Sequence, residues 1–122
     1  MLFLEAKIMK LTITDSAQSK INQVADEDTR LLLSFDDGVG PFSKWGICSL
    51  ETAFDVIAVD KDALTPDYEK SLSTNHGEWA YKGYSKNYLD DDMKLDVVNN
   101  NLVLSGESGI LDSAVTLKRV SA

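Results

Sequence analysis

One short stretch decides how the chain begins to fold: Met9-Lys10-Leu11-Thr12-Ile13-Thr14-Asp15-Ser16-Ala17. Met9, Leu11 and Ile13 alternate with polar residues, which is the period of a β-strand with one buried face. Asp15 then stands where a helix begins, because Asp is a favoured N-cap and Gln18 follows three residues later, as in a capping box. The stretch therefore predicts a short strand that leads directly into a helix.

The residues after Asp15 keep helical spacing for about three turns. Ala17, Ile21 and Val24 recur on one face, and the acidic run Asp26-Glu27-Asp28 ends the pattern. We expect one main helix over about residues 16–26 and no other long helix. Its apolar face needs a hydrophobic partner surface, which strands would supply.

The rest of the chain is typical of β structure. A leucine-rich stretch, Arg30–Phe35, runs into the turn signal Asp36-Asp37-Gly38. Further strands are predicted near Trp45–Leu50, Ala53–Val59, Glu78–Tyr81, Lys94–Val97 and Ala114–Lys118, with a tight hairpin at Asn99-Asn100-Asn101. One N-terminal helix followed by many short strands predicts an α+β domain that is mostly β, with an antiparallel or mixed sheet.

Length and charge limit the function classes. The chain has 122 residues, which fits one domain, and a net charge of −8 at pH 7. That balance argues against a nucleic-acid partner, which calls for clustered basic residues. The sequence holds no run of about 20 apolar residues for crossing a bilayer and no secretory signal pattern. We therefore expect a cytoplasmic protein with no membrane partner.

Catalytic and metal chemistry would depend on very few side chains. Cys48 is the only cysteine and His76 the only histidine, so the chain can form no internal disulfide and supplies two ligands at most to a zinc site that needs four. Cys48 lies in an apolar run and is typical of a small buried hydrophobe. His76 lies in a turn-like stretch with no paired nucleophile. The sequence predicts no enzyme, no cofactor and no metal site.

Three loops and several aromatic residues are candidate ligand sites. Neither Gly38-Val39-Gly40 nor the stretch 105–109 completes a phosphate-binding motif, so both are typical of turns. The run Asp90-Asp91-Asp92 lacks the spacing of a calcium loop and favours a solvated acidic loop. Five aromatic residues could line a ligand surface, although aromatic residues in strands more often face a core: Trp45, Trp79, Tyr81, Tyr84 and Tyr88.

The stretch that begins at Met9, the helix after it and the leucine-rich strand Arg30–Phe35 together resemble the opening of the HesB/IscA-like iron–sulfur cluster biogenesis domain. The later order of strands is also similar, so the resemblance spans about residues 9–120. It implies the fold of that family. It also implies that residues 1–8 are an N-terminal extension and that residues 9–122 form a single HesB/IscA-like domain.

The chain departs from the pattern of this family at the positions of the cysteine ligands. Carriers of that family bind iron or a cluster through one cysteine after the leucine-rich strand and a Cys-Gly-Cys near the C-terminus, because soft sulfur ligands suit iron–sulfur clusters. In this chain the first position corresponds to Val39 and the second to Asp112-Ser113-Ala114. The chain is therefore identified as a member that lacks the cysteine triad, and no ligand residue is carried over.

Two functions remain open. The first is a non-catalytic accessory or interaction protein of iron–sulfur cluster biogenesis, without its own cluster, whose partners are assembly proteins. The alternative is a divergent small-ligand or protein-binding module that retains the fold but is unconnected with iron–sulfur assembly. In the resembling fold the two ligand segments approach each other, so the candidate interaction surface consists of Asp37, Gly38, Val39, Gly40, Asp112, Ser113 and Ala114. There Asp37, Glu107 and Asp112 could attract a hard cation weakly.

Overall fold

A computed structural model describes residues 9–36 and 53–120. The predicted strand near Trp45–Leu50 and the predicted extension 1–8 lie outside the described residues. The elements in chain order are β1 (Lys10–Ile13), α1 (Asp15–Ile21), β2 (Thr29–Asp36), β3 (Ala53–Asp60), β4 (Lys70–Thr74), β5 (Gly77–Tyr81), a 3₁₀ helix (Gly83–Tyr88), β6 (Asp92–Val98), β7 (Asn101–Gly106) and β8 (Gly109–Val120).

The eight strands of the described residues close into a barrel in the order β1-β4-β5-β2-β3-β8-β7-β6. Four neighbouring pairs are antiparallel, as in β2 with β3, and four are parallel, as in β3 with β8 and β1 with β6. The prediction of a mostly β fold is confirmed; of the antiparallel and mixed sheets that the sequence left open, the mixed sheet is present, and its closure is an additional finding. Closure depends on pairs such as β1 with β6 that are far apart in the sequence, which local alternation does not reveal.

The barrel interior is filled by side chains from both strands and helix. Met9, Leu11 and Ile13 are at most 3% exposed, which confirms the strand face predicted for β1. Ala17 and Ile21 of α1 are fully buried in the same cluster. That cluster also contains Leu33, Phe54, Val56, Leu72, Trp79, Tyr81, Leu89, Met93, Leu95, Leu102, Leu104 and Val115.

The helix begins one residue earlier and ends five residues sooner than predicted. Its N-cap is Thr14, whose Oγ1 accepts a hydrogen bond from the Ala17 N–H at 3.2 Å. The expectation that Asp15 is the cap was wrong, because Thr14 is held in place by donating to Asp96 of β6, a contact outside the local pattern. After α1 the backbone continues in three-residue turns, as in the bond from the Val24 N–H to the Ile21 carbonyl. No helix within 9–36 and 53–120 is long and apolar enough to cross a membrane.

The predicted hairpin is present, whereas strand β4 and the 3₁₀ helix were not predicted from the sequence. Asn99 and Asn100 adopt φ of 50° and 67° between β6 and β7, which confirms the predicted tight hairpin, since Asn tolerates this region. Strand β4 was not predicted, because Leu72 is the only apolar residue of Lys70–Thr74 and gives no alternation. The 3₁₀ helix was not predicted either.

Candidate functional site

Three residues of the candidate interaction surface are described: Asp112, Ser113 and Ala114. They lie on β8, where its pairing with β7 is irregular. On β7 one residue separates Leu102 from Leu104, whereas two residues, 113–114, separate their partners Val115 and Asp112 on β8. The strand therefore bulges at this point. Bulges bend a strand and re-aim its side chains, and they are common beside functional sites.

Asp112 connects this bulge to the neighbouring strand. Its Oδ2 accepts a hydrogen bond from the backbone N–H of Phe54 at 2.8 Å, and its Oδ1 accepts one from Ala114 at 2.9 Å. Ser113 and Ala114 are exposed beside it, whereas Asp112 is half-buried. The carboxylate thus fixes the bulge by accepting bonds from two backbone N–H groups, and it leaves the two following side chains facing solvent.

The ends of β2 and β3 meet at the same place. Phe35 faces Phe54, and Asp36 faces Ala53, in the antiparallel register of the two strands. Because Asp112 bonds to Phe54, the point where the chain leaves β2 and returns to β3 lies next to the β8 bulge. Asp37, Gly38, Val39 and Gly40 are outside the described residues, as is Cys48, so the joint surface with Asp112, Ser113 and Ala114 stays a prediction.

An aromatic stack covers the end of β2. The ring of Tyr88 lies parallel to that of Phe35, with centroids 4.2 Å apart and planes 8° apart, and the Phe54 ring is tilted by 56° to the Phe35 ring, with centroids 5.5 Å apart. Tyr88 is 48% exposed, so it shields Phe35 and also offers one face to solvent. The sequence singled out Tyr88 only as one of several aromatic residues. Its position follows from the 3₁₀ helix, which no sequence pattern predicted.

The other aromatic residues divide between core and surface. Trp79 and Tyr81 are 3% and 6% exposed in the barrel interior, and Tyr84 is 53% exposed. Burial, and next the negative charge of Glu69, raise the pKa of Tyr81. The Lys82 ammonium lies 5.8 Å from the centre of the Tyr84 ring. Trp45 lies outside the described residues.

The described carboxylates near β8, Glu107 and Asp112, do not gather into a cation site. Glu107 is exposed in the turn between β7 and β8, and its backbone N–H donates to Asp90 at 2.9 Å. In the part of the chain that the structure describes, no three His, Cys, Asp or Glu side chains stand close enough to hold a metal ion. His76 lies apart from β8, exposed in the turn between β4 and β5, where its backbone N–H donates to Thr74.

A buried polar cluster lies on the outer face of β2 and β3. Asp55 is 1% exposed, and its Oδ2 lies 3.4 Å from the Lys118 ammonium. Ser34 faces Asp55 across the strands and accepts a hydrogen bond from the Tyr68 hydroxyl at 2.9 Å. The sequence feature that could have indicated this buried polar cluster was Asp55, an aspartate inside the mostly apolar strand Ala53–Asp60. Its partner could not be inferred, because the parallel pairing of β3 with β8 brings Lys118 to it.

In the part of the chain that the structure describes, fold and site together define a class: small closed β-barrels with parallel and antiparallel strand pairs, an α-helix directly after β1, and a bulge in β8. The family model described as Iron-sulphur cluster biosynthesis matches residues 9–119. The chain therefore belongs to the iron–sulphur cluster biosynthesis family, and the resemblance stated from the sequence is confirmed.

Two crystal structures share the fold. One is of a candidate Fe-S biosynthesis protein from Lactobacillus salivarius, described as having a novel protein fold, with 41% sequence identity, a TM-score of 0.78, and coverage of 93% of this chain and 100% of that chain. The other is of a candidate Fe-S biosynthesis protein from Lactobacillus acidophilus, with 24% identity, a TM-score of 0.71, and coverage of 91% and 90%. At that identity the second shows the fold alone. No protein with a curated description matches the chain.

Proposed function

We propose that this protein is a non-catalytic accessory of iron–sulfur cluster biogenesis, which contacts assembly proteins and does not hold the cluster itself. The cluster is the cargo of that process. The contact surface would be the β8 bulge with the adjoining ends of β2 and β3. We further propose that the protein acts in the cytoplasm, where a thiol such as Cys48 stays reduced.

The observation that supports this proposal most directly is the chemistry of Asp112. The resemblance puts a cysteine pair at Asp112-Ser113-Ala114, where the chain has a carboxylate that already accepts two backbone N–H groups. An iron–sulfur cluster usually takes four protein ligands, mostly thiolates, and this chain has one cysteine. Carboxylates prefer harder ions than those of a sulfide cluster. The donor set therefore does not fit a resident cluster.

The exposed groups at this end of the barrel suit a protein contact. Ser113 and Ala114 face solvent on the bulge, Ile110 is 66% exposed on the same strand, and Tyr88 is 48% exposed. Aromatic and aliphatic side chains of this kind are typical of the centres of protein interfaces.

Anaerobic reconstitution with iron and sulfide tests the absence of a cluster. We expect a colourless protein without stoichiometric iron or acid-labile sulfide after desalting, for both the wild type and Cys48→Ser. A brown wild-type protein with stoichiometric iron and sulfide, whose chromophore is lost in Cys48→Ser, would contradict the proposal. It would instead favour a dimer that carries a cluster.

A transfer assay with purified components tests the accessory role. The movement of a [2Fe–2S] cluster from a loaded scaffold protein to an apo-ferredoxin is followed by circular dichroism, with and without this chain. We expect the wild type to bind the scaffold and change the transfer rate. Ser113→Trp, which obstructs the bulge, should remove the effect, whereas Glu78→Gln, an exposed site on β5, should keep it. No binding and no rate change would favour the unconnected ligand-binding module.

A further inference from the structure

The segment that follows β3, residues 61–69, forms a strap across the outer face of the barrel. Tyr68 anchors one end of this strap, because its ring is 7% exposed in a small apolar cluster with Leu32, Ile57 and Val59. The other end is held by backbone bonds, including those from Lys61 to the Asp28 carbonyl and from Ala63 to the Asp60 carbonyl. The strap is therefore fixed at both ends.

Leu64 lies in the middle of the strap and is 94% exposed. The half-buried guanidinium of Arg30 lies beneath it, and its Nη2 donates to the Ala63 carbonyl at 2.6 Å and also to the Thr65 hydroxyl. These two acceptors belong to the residues on either side of Leu64. Because charge-assisted hydrogen bonds hold both neighbours, the backbone at Leu64 cannot move toward the barrel without breaking them. The strap displays it to solvent.

A cleft of about 570 Å³ opens beside Leu64, lined by Asp28, Asp60, Lys61, Asp62 and Ala63. Three carboxylates outnumber one ammonium there. Asp60 lies 3.9 Å from Arg119, which also lies 3.3 Å from Asp26 and donates to the Val24 carbonyl. The surface thus combines the exposed side chain of Leu64 with a cleft whose lining carries a net negative charge. The net charge of the whole chain is −8.

We propose that Leu64 and this acidic cleft form a docking surface for a partner protein that offers an apolar pocket bordered by lysine or arginine. Burial of a fully exposed leucine supplies affinity, and opposite charges around it supply specificity and rapid association. A second copy of this chain would bring the same carboxylates against the cleft, and nucleic acid would bring phosphates. Both are disfavoured by like-charge repulsion.

This surface goes beyond the proposed function, because it lies at the other end of β3. The bulge contacts β3 at Phe54, whereas the strap begins after Asp60. Six residues of strand separate the two points by about 20 Å. Partners at the two ends of the barrel need not compete with each other.

Site-specific photo-cross-linking in cells of the native host tests the proposal on the full chain. A photoreactive phenylalanine analogue is placed at position 64, and in a separate variant at position 110 beside the bulge. We expect a discrete adduct with a second protein from position 64. The adduct from position 110 reports on the proposed function alone, so the two ideas can fail separately.

The captured protein is then purified, and its Kd for this chain is measured. Leu64→Ser should raise the Kd about tenfold, since truncation of a central interface residue has effects of this size. The double variant Asp28→Asn/Asp62→Asn should also raise the Kd and weaken its dependence on salt. Val98→Ser, at a side chain that is 49% exposed on β6, is the matched control and should leave the Kd unchanged.

Several outcomes would overturn the proposal. One is the absence of any protein adduct from position 64, and another is an adduct with nucleic acid or with a second copy of this chain. A captured protein whose Kd is the same for the wild type and Leu64→Ser would overturn it as well. The variants should melt at the wild-type temperature because the substituted side chains are exposed, so lost binding cannot be assigned to unfolding.

Discussion

The carboxylate of Asp112 on β8 accepts a 2.8 Å hydrogen bond from the backbone N–H of Phe54 on β3. The two residues are 58 positions apart in the sequence. The bond lies just before the parallel pairing of the two strands, which begins with Asp55 opposite Thr116. Asp112 therefore fixes the geometry of the bulge while its neighbours Ser113 and Ala114 remain accessible.

The first prediction concerns this bond. Asp112→Ala should lower the free energy of unfolding by about 1–3 kcal/mol, because two backbone N–H groups lose a charged acceptor. The measurement is urea denaturation followed by fluorescence. Ser113→Ala is the control, since its side chain is exposed, and it should stay within about 0.5 kcal/mol of the wild type. An Asp112→Ala variant as stable as the wild type would show that the bond is not structural.

The second prediction concerns the helix cap. Thr14→Ala should cost about 0.5–2 kcal/mol in unfolding free energy, because the Ala17 N–H loses its side-chain acceptor. Thr14→Ser keeps the hydroxyl and should recover most of the loss. Ser16→Ala, at an exposed helix position, should cost little, since Ala favours the helix. If Asp15→Ala proved more costly than Thr14→Ala, the assignment of the cap would be wrong.

The third prediction concerns stability in acid. The bond from the Val97 N–H, and next the bond from the Thr14 hydroxyl, lower the pKa of Asp96 below its ordinary value of 3.8. A lowered pKa means that folding favours the ionised carboxylate. Its stabilising contribution is complete above the unfolded-state pKa and disappears as the pH falls from that value through the lower folded-state pKa.

Urea denaturation of the wild type and of Asp96→Asn, at about pH 6 and about pH 3, measures this contribution. The loss of unfolding free energy between the two conditions should be smaller in Asp96→Asn, which cannot titrate. Thr14→Val removes one of the two hydrogen bonds and should give an intermediate loss. An equal loss in the wild type and Asp96→Asn would contradict the prediction.

The fourth prediction concerns the hairpin between β6 and β7. Asn100 has a φ of 67°, a region that glycine adopts without strain and that β-branched residues avoid. Asn100→Gly should therefore leave the protein as stable as the wild type or raise the free energy of unfolding by up to about 1 kcal/mol. Asn100→Val should lower it by about 1–2 kcal/mol. Thermal unfolding of both variants checks the opposite signs, and two changes of the same sign would contradict the turn geometry.

The sequence by itself determined the local elements of this protein. The alternation around Leu11 predicted β1 and its buried face, the leucine-rich stretch predicted β2, and the asparagines before β7 predicted the hairpin. Each of these signals depends on backbone preferences and burial within a few residues. The same stretches carried the family resemblance, which the match over residues 9–119 confirms.

The tertiary structure decided what depends on distant partners. The choice of Thr14 over Asp15 as the helix cap depends on Asp96, 82 residues from Thr14. The barrel closes because β1 pairs in parallel with both β4 and β6, a register that no local pattern specifies. Arg30 holds the strap beneath Leu64 in the same long-range way. Short-range propensities choose helix, strand or turn, whereas pairing across the barrel decides which side chains meet.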